Sequence, residues 1–303
     1  MLARAFRRIL LIELLIYIAA GFGLVRLAGW DWTDAGLALL AFALALRALA
    51  IATTFVMAAH YSSPVPPEHR LSLAGRLKLY FAELGAYLLI YHVYQPFDGL
   101  FVGTEQAQPS PQGRLPVLLL HGYVCNRGFL LPLRRYLRAH GIAAYSHNLE
   151  PVYAGIDSYA DGLAHHVEKI VADTGAGKLV ILAHSMGGLV ARAYLRKHGT
   201  RHVAKLITLG TPHQGTVMAR LGAGENGRHM VPGNDWLRRL NEQIPALPVV
   251  SVFSYHDNIV VPQESSVLAG AKIVRLSGMG HMSMPFSRRI REVALEEIRS
   301  AGG

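Results

Sequence analysis

Apolar residues are concentrated in two long runs at the start of the chain. Ile9–Val25 is apolar apart from Glu13, and Ala35–Ala59 is apolar or small apart from Arg47 and two threonines. About 20 such residues span a bilayer as a helix. The pattern therefore predicts a transmembrane helical hairpin over residues 1–60. A cleaved signal peptide is the alternative for the first run, because three arginines precede it.

The basic residues that flank the two runs predict the orientation of the hairpin. They are Arg4, Arg7 and Arg8 before the first run and Arg70, Arg76 and Lys78 after the second. Basic flanks stay on the cytoplasmic side, so we expect a multi-pass protein of a bacterial-type inner membrane whose remaining chain is cytoplasmic. A third span within Leu71–Tyr94 would reverse this assignment, but its charges and spacing favour an amphipathic helix on the membrane or on the following domain.

The two charged residues inside the runs are predicted to form an ion pair. Counted from the outer ends of their runs, Glu13 and Arg47 lie about 21 and 18 Å deep at a helical rise of about 1.5 Å per residue. Two antiparallel helices would place them at similar depth, where each neutralises the other. The alternative is that each side chain extends separately towards the membrane surface.

Beyond proline-rich breaks at Pro64–Pro67 and Gln106–Pro116, short apolar runs alternate with amphipathic stretches. The runs are Val117–Leu120, Ile142–Tyr145, Leu179–Ala183, Leu206–Leu209, Val249–Phe253 and Ile273–Leu276; the stretches include Phe129–His140, Ser158–Asp173 and Met186–His198. This alternation predicts an α/β fold, with a mostly parallel sheet covered by helices on both faces. We expect residues 61–114 to be an amphipathic and linker region and residues 115–303 to be the α/β domain. Chemistry in such a sheet collects at the carboxyl ends of the strands.

The third run leads through a tight turn into a helix. The turn reads Ala183-His184-Ser185-Met186-Gly187. The residues two positions on either side of the serine are small, as a sharp strand–turn–helix junction requires. Such a junction presents the serine oxygen above the sheet. We therefore predict that Ser185 is a nucleophile; the alternative is a helix-capping serine.

A nucleophilic serine needs a base and an acid that orients it, in the chain order serine, acid, histidine. His281 lies in a glycine-rich loop after the last run and is the predicted base. Asp257 follows the fifth run and is the predicted acid, with Glu264 as the second candidate. The alternative for Asp257 is an Asx-turn at the start of its loop.

The oxyanion of the tetrahedral intermediate needs preformed N–H donors. We expect them to be the backbone N–H groups of Met186 and Tyr123, because Tyr123 follows the first strand. Gly122 permits a close turn there, and His121 is expected to stabilise this loop rather than to act as a second base. His184 is expected to support the elbow.

Several sequence pieces together resemble one known family. They are His121-Gly122-Tyr123, Asn148–Pro151, Ala183–Gly188, Thr211–Gly215, Met230–Gly233 with Leu240-Asn241, Asp257 with Val261-Pro262, and Gly280-His281. Over Leu115–Arg299 the chain resembles lipases and esterases of the α/β-hydrolase superfamily; Ala183 replaces the usual first glycine of the elbow. The resemblance implies an α/β-hydrolase fold, with a lid-like insertion at about 216–245. It suggests no cofactor, and no aspartate pair matches the calcium site of certain bacterial lipases, so no metal is expected.

The composition and the net charge of the chain limit the binding partners that can be expected. The chain is 51% hydrophobic and 17% charged, which excludes disorder, and its net charge is +10. The charge divides as +2 for residues 1–60, 0 for 61–116 and +8 for 117–303. No nucleic-acid motif accompanies it, so an anionic lipid surface is the expected partner. The one cysteine, Cys125, excludes an intramolecular disulfide and a cysteine-built zinc site.

These observations predict a membrane-anchored serine ester hydrolase, of the lipase or esterase type, that acts on acyl lipids such as glycerides or phospholipids. Two alternatives remain open. An acyltransferase or thioesterase would use the same three residues, and a non-catalytic membrane scaffold would retain only the fold. The sequence does not predict the oligomeric state.

Overall fold

A computed structural model describes residues 1–103 and 114–302, so most of the break at Gln106–Pro116 lies outside the described residues. The chain begins with two long helices, α1 (Leu2–Ala28) and α2 (Trp32–Tyr61). Gly29 ends α1 with a φ of 72°. The side chain of Asp31 caps α2 by accepting a hydrogen bond from the Thr33 N–H at 2.7 Å.

Both helices are long and apolar enough to cross a membrane, judged by length and composition. Within the most apolar stretch of each helix, the buried share is 0% in α1 and 11% in α2. The core helix of a soluble domain would be mostly buried. The apolar side chains of α1 and α2 are instead mostly exposed. The predicted ion pair is confirmed: Arg47 Nη2 contacts Glu13 Oε2, and Tyr17 donates a hydrogen bond to Glu13 Oε1 at 2.8 Å.

The region after the hairpin is also helical. A 3-10 turn at Pro67–His69 precedes α3 (Leu73–Leu89), which continues as a π-helical turn at Ile90–Tyr94 and is followed by α4 (Asp98–Val102). The helix α3 buries Leu79, Glu83 and Ala86 and exposes Leu73, Leu77 and Phe81. It therefore turns a face containing a carboxylate inward and a row of apolar side chains outward.

The described residues from 114 onward form a six-stranded, all-parallel sheet with helices on both faces. Its strands are β1 (Val117–Leu120), β2 (Ala144–His147), β3 (Leu179–His184), β4 (Val203–Leu209), β5 (Val249–Ser254) and β6 (Lys272–Leu276), in the order β2-β1-β3-β4-β5-β6. The helices are α5 (Leu131–Ala139), α6 (Ile156–Thr174), α7 (Met186–His198), α8 (Gly224–His229), α9 (Asp235–Asn241) and α10 (Arg288–Arg299). One apolar cluster packs α6 and α7 on one face, and another packs α5 and α10 on the opposite face. The predicted α/β class is confirmed.

One strand was predicted two residues too early. The apolar run Ile142–Tyr145 predicted β2, whereas the strand is Ala144–His147 and pairs Ser146 with Leu119 of β1. Ile142 is buried, but it lies in the connection that enters the sheet. An apolar pattern indicates which residues are buried, but it does not indicate which residues form hydrogen bonds to the neighbouring strand. The pattern therefore misplaced the start of β2.

The segment predicted as a lid-like insertion contains a 3-10 turn at Val217–Leu221 together with α8 and α9. It is tied to the domain by polar contacts. The indole N–H of Trp236 donates to Asp157 Oδ2 at 2.7 Å, and Asn226 Nδ2 donates to the Val152 carbonyl at 2.8 Å.

Candidate active site

Ser185 lies in a sharp turn between β3 and α7. Its φ of 56° and ψ of −130° are forbidden to most L-residues, and its side chain does not cap α7. The turn is fixed on both sides: Ser185 N–H donates to the Leu209 carbonyl at 2.9 Å, and Thr211 Oγ1 donates to the Ser185 carbonyl at 2.9 Å. A Cβ on Gly187 would lie 2.6 Å from the His121 carbonyl oxygen, so this position must be glycine. The serine is therefore held in the geometry of a nucleophile elbow.

Backbone strain is concentrated here. Among the described residues, Val124 (φ 48°) and Ser185 are the two non-glycine positions with positive φ. A β-branched residue in this region is a genuine outlier, and such outliers persist where the surrounding structure holds them, often at functional sites. Both residues line one cavity.

The predicted acid and base are in contact. His281 Nδ1 lies 2.8 Å from Asp257 Oδ2, and both side chains are buried. Asp257 Oδ1 accepts the N–H groups of Ile259 and Val260, each at 2.8 Å, so the aspartate also forms the Asx-turn that was the alternative interpretation of this residue. Glu264, the second candidate acid, is exposed.

Electrostatics favour a charged His281. Burial by itself would lower the pKa of His281, but the negative charges of Asp257 and Glu83 outweigh burial and raise the pKa above its ordinary value. The neutral ring needed for a general base therefore forms only above this raised pKa.

Ser185 and His281 face the same cavity of about 300 Å³. Its other walls are largely apolar and include Tyr91, Phe129 and Met282. Among the described residues no hydrogen bond joins Ser185 Oγ to His281. Such bonds are often long before substrate binds and tighten in the complex.

The loop after β1 approaches Ser185 closely. A Cβ on Gly122 would lie 2.8 Å from Ser185 Cβ and 3.2 Å from its Oγ. No described residue accepts a hydrogen bond from the backbone N–H of Tyr123 or Met186. These two N–H groups therefore stay the predicted oxyanion donors.

His121 holds this loop through both ring nitrogens. Its Nε2 accepts a hydrogen bond from the Leu149 N–H at 3.1 Å, so Nδ1 carries the proton and donates to the Gly122 carbonyl at 2.9 Å. Burial lowers the pKa of His121 to about 4, which keeps the ring neutral. Because a trans peptide directs its C=O and N–H oppositely, anchoring the Gly122 carbonyl also orients the Tyr123 N–H.

His184 supports the loop that carries His281. Its Nε2 lies 3.1 Å from the His281 carbonyl oxygen, and its ring stacks on Phe129 with centroids 4.7 Å apart. Burial lowers the pKa of His184 well below its ordinary value. A neutral Nε2–H therefore donates to this carbonyl, and His184 is not placed as a second base.

Cys125, the one thiol of the chain, lies in the cavity wall. It is not part of a metal-binding group: within the described residues, no three or more His, Cys, Asp or Glu side chains cluster to hold a metal ion. Burial raises the pKa of Cys125 to about 12, and its Sγ donates to the Tyr123 carbonyl at 3.3 Å. The thiol therefore stays protonated near neutral pH.

Residues that the sequence did not single out connect the helical N-terminal region to this site. Gln95 Oε1 accepts the N–H of Asn126 at 2.7 Å, and the Gln95 carbonyl accepts from Asn126 Nδ2 at 2.8 Å. Asn258 Nδ2 donates to Thr54 Oγ1 of α2 at 2.7 Å, and Asn258 Oδ1 accepts the His281 N–H at 3.0 Å. No local pattern predicts these pairs, since the partners are 31 and 204 residues apart.

The side chain of Tyr123 joins the insertion to the loop that follows β1. Its hydroxyl donates to the Ala223 carbonyl at 2.8 Å and accepts the Ala223 N–H at 2.7 Å. The segment predicted as a lid therefore contacts the residue whose backbone N–H is a predicted oxyanion donor.

These features together define an α/β-hydrolase fold: the strand order of the sheet, the sharp turn at Ser185, and the contact between Asp257 and His281. A sequence model of this fold family matches residues 137–226. A Bacillus licheniformis lipase in mature form superposes with a TM-score of 0.57 at 15% identity, covering 63% of this chain and 94% of that one. Lipase B of Aspergillus fumigatus gives 0.57 at 17% identity, covering 62% and 53%.

The sequence also resembles curated lipases, but over a shorter part of the chain than the structural superpositions cover. A triacylglycerol lipase of Pseudarthrobacter phenanthrenivorans is 32% identical over 114 residues, which cover 35% of this chain and 35% of the relative. One from Burkholderia plantarii is 32% identical over 114 residues, covering 35% of this chain and 32% of the relative. The chain thus spans about a third of the length of these curated relatives. This chain has the α/β-hydrolase fold and is similar to lipases.

Proposed function

We propose that the chain is a membrane-anchored serine ester hydrolase that cleaves carboxylic esters of acyl lipids. One observation carries the proposal: Ser185 stands on a strained elbow in an apolar cavity that it shares with His281, whose ring is bonded to a buried Asp257. Nucleophile, base and orienting acid are the elements of a serine hydrolase.

In the proposed reaction Ser185 Oγ attacks the ester carbonyl carbon while its proton passes to His281 Nε2. Asp257 stabilises the imidazolium, and the N–H groups of Tyr123 and Met186 bind the oxyanion. Collapse breaks the ester C–O bond, and the departing alcohol takes the proton from His281. A water molecule then attacks the acyl-serine carbonyl carbon while His281 takes one of its protons. The bond between the acyl carbon and Ser185 Oγ breaks, Oγ takes that proton back from His281, and the carboxylic acid is released.

The cavity and the hairpin support an acyl lipid as substrate. The largely apolar walls of the cavity suit a hydrocarbon chain. The exposed apolar surfaces of α1 and α2 fit a bilayer, and the excess positive charge of residues 117–303 fits an anionic, cytoplasmic lipid surface. A reporter fused to the C-terminus that is active only outside the cell would overturn the cytoplasmic placement.

Labelling with a serine-directed fluorophosphonate tests the chemistry. The purified, folded full chain is expected to be labelled, the Ser185→Ala variant is not, and Ser158→Ala, which removes a hydroxyl on α6, is labelled like wild type. Absence of labelling in the folded wild-type protein would refute the hydrolase proposal and favour a non-catalytic membrane scaffold. A panel of glycerides and phospholipids with and without vesicles, assayed for free acid and for transfer to added alcohols, separates hydrolase from acyltransferase.

A further inference from the structure

Glu83 is a buried carboxylate that reaches the active site from α3. Its exposed fraction is 0%. Its Oε1 accepts the Met282 N–H at 2.7 Å, and its Oε2 accepts the Ser283 N–H at 2.9 Å. A Cβ on Gly280 would lie 2.5 Å from Glu83 Oε2, so the loop packs against the carboxylate on both sides of His281. One side chain therefore fixes the turn that carries the proposed base.

Filling space between α3 and the His281 loop does not by itself require a carboxylate at position 83. Burying a charge without an opposite partner is costly, and no cation is paired with Glu83 among the described residues. Burial raises the pKa of Glu83, whereas the hydrogen bonds to both oxygens oppose the rise and suit the anion. The negative charge of Glu83 raises the pKa of His281, whose backbone is one residue from the Met282 N–H that Glu83 binds. His281 also contacts Asp257 and the neutral His184.

We propose that Glu83 is a positioning residue for His281: it fixes the loop that carries the imidazole and places a second negative charge beside it, so that the N-terminal helical region completes the active site. This inference rests on the proposed hydrolase function. The imidazolium formed when Ser185 loses its proton is stabilised by Asp257 through a direct hydrogen bond and by Glu83 through its charge.

The main test is Glu83→Gln in the detergent-solubilised full chain. A glutamine keeps the size but loses the charge, and its NH2 group cannot accept the second N–H. We expect kcat to fall by about tenfold to a hundredfold, the size of effect that follows a misplacement of about 1 Å. The rising limb of kcat/KM is expected to move about one pH unit lower, because removal of a nearby negative charge lowers the pKa of the base.

Two further variants separate positioning from loss of stability. Glu83→Asp keeps the charge but is shorter, so kcat should fall while the rising limb stays near its wild-type pH. Glu297→Gln removes another buried carboxylate, one paired with Lys205 and Lys272, and should lower Tm without moving the limb. A Glu83→Gln limb that coincides with wild type, with only Tm reduced, would overturn the inference.

Hydrogen–deuterium exchange gives a readout that does not need activity. Glu83→Gln should speed amide exchange at residues 280–283, whereas Glu297→Gln should not. If wild type is neither labelled nor active but this local change occurs, the hydrolase proposal fails while the positioning of the loop stands. Unchanged exchange at the loop in an active enzyme would refute the positioning alone.

Discussion

Gly122→Ala is the sharpest test of the site, because its effect is steric. The added Cβ would lie 2.8 Å from Ser185 Cβ, whereas carbon atoms pack at about 3.5–4.0 Å. The loop or the serine must therefore move by about 1 Å. Gly122 has no positive φ to oppose the substitution, and a misplacement of this size lowers a rate by about a hundredfold. This corresponds to about 2.7 kcal/mol in the activation barrier.

The assay is the second-order rate of fluorophosphonate labelling, together with kcat/KM for a short-chain p-nitrophenyl ester. The matched control is Gly162→Ala on α6, where an added Cβ meets nothing within 4 Å. The control should label at the wild-type rate and gain up to about 1 kcal/mol of stability from helix propensity. A Gly122→Ala variant whose rates lie within about threefold of wild type would refute the close approach of Gly122 to Ser185.

Three further predictions concern other parts of the molecule. Asp257→Asn should lower kcat by about ten-thousandfold, because an amide favours the wrong tautomer of His281; an activity profile against pH that matches wild type would contradict this. Arg47→Leu and Glu13→Gln should each lower Tm in detergent, and the double variant should lose less than the sum of the two; unchanged stability of Glu13→Gln would argue against a stabilising ion pair. Cys125 should resist iodoacetamide at pH 8, because at a pKa of about 12 only roughly one thiol in ten thousand is ionised; mass spectrometry of folded and guanidine-unfolded protein measures the difference.

The parts predicted well from sequence are those whose signal is local. The helix Met186–His198 has the predicted bounds because a fully apolar strand, a small-residue turn and an amphipathic stretch follow one another without a gap. The pairing of Asp257 with His281 agrees with strand-end position, since parallel strands bring their carboxyl ends to one edge of the sheet.

The contributions of the N-terminal helices were not predictable in this way. Glu83 reads as the polar side of an amphipathic helix, yet that side faces the protein and Leu77 and Phe81 face outward. Helical spacing indicates that the two faces of α3 differ, but it does not indicate which of the two faces packs against the rest of the protein. Partners some 200 residues away, such as Ser283, leave no trace in a local window.

The contacts of α3 and the π-helical turn affect any attempt to shorten this protein. The break before Leu115 looks like a natural place to cut and obtain a soluble enzyme. A cut there would remove Glu83, Tyr91 and Gln95, leaving three backbone N–H groups without their acceptors and the cavity without one wall. The trimmed protein would keep the sheet and Ser185 but would lose the contacts that hold the loops around the proposed active site. A shortened version therefore has to keep these helices and replace their exposed apolar side chains by polar ones instead of deleting the helices.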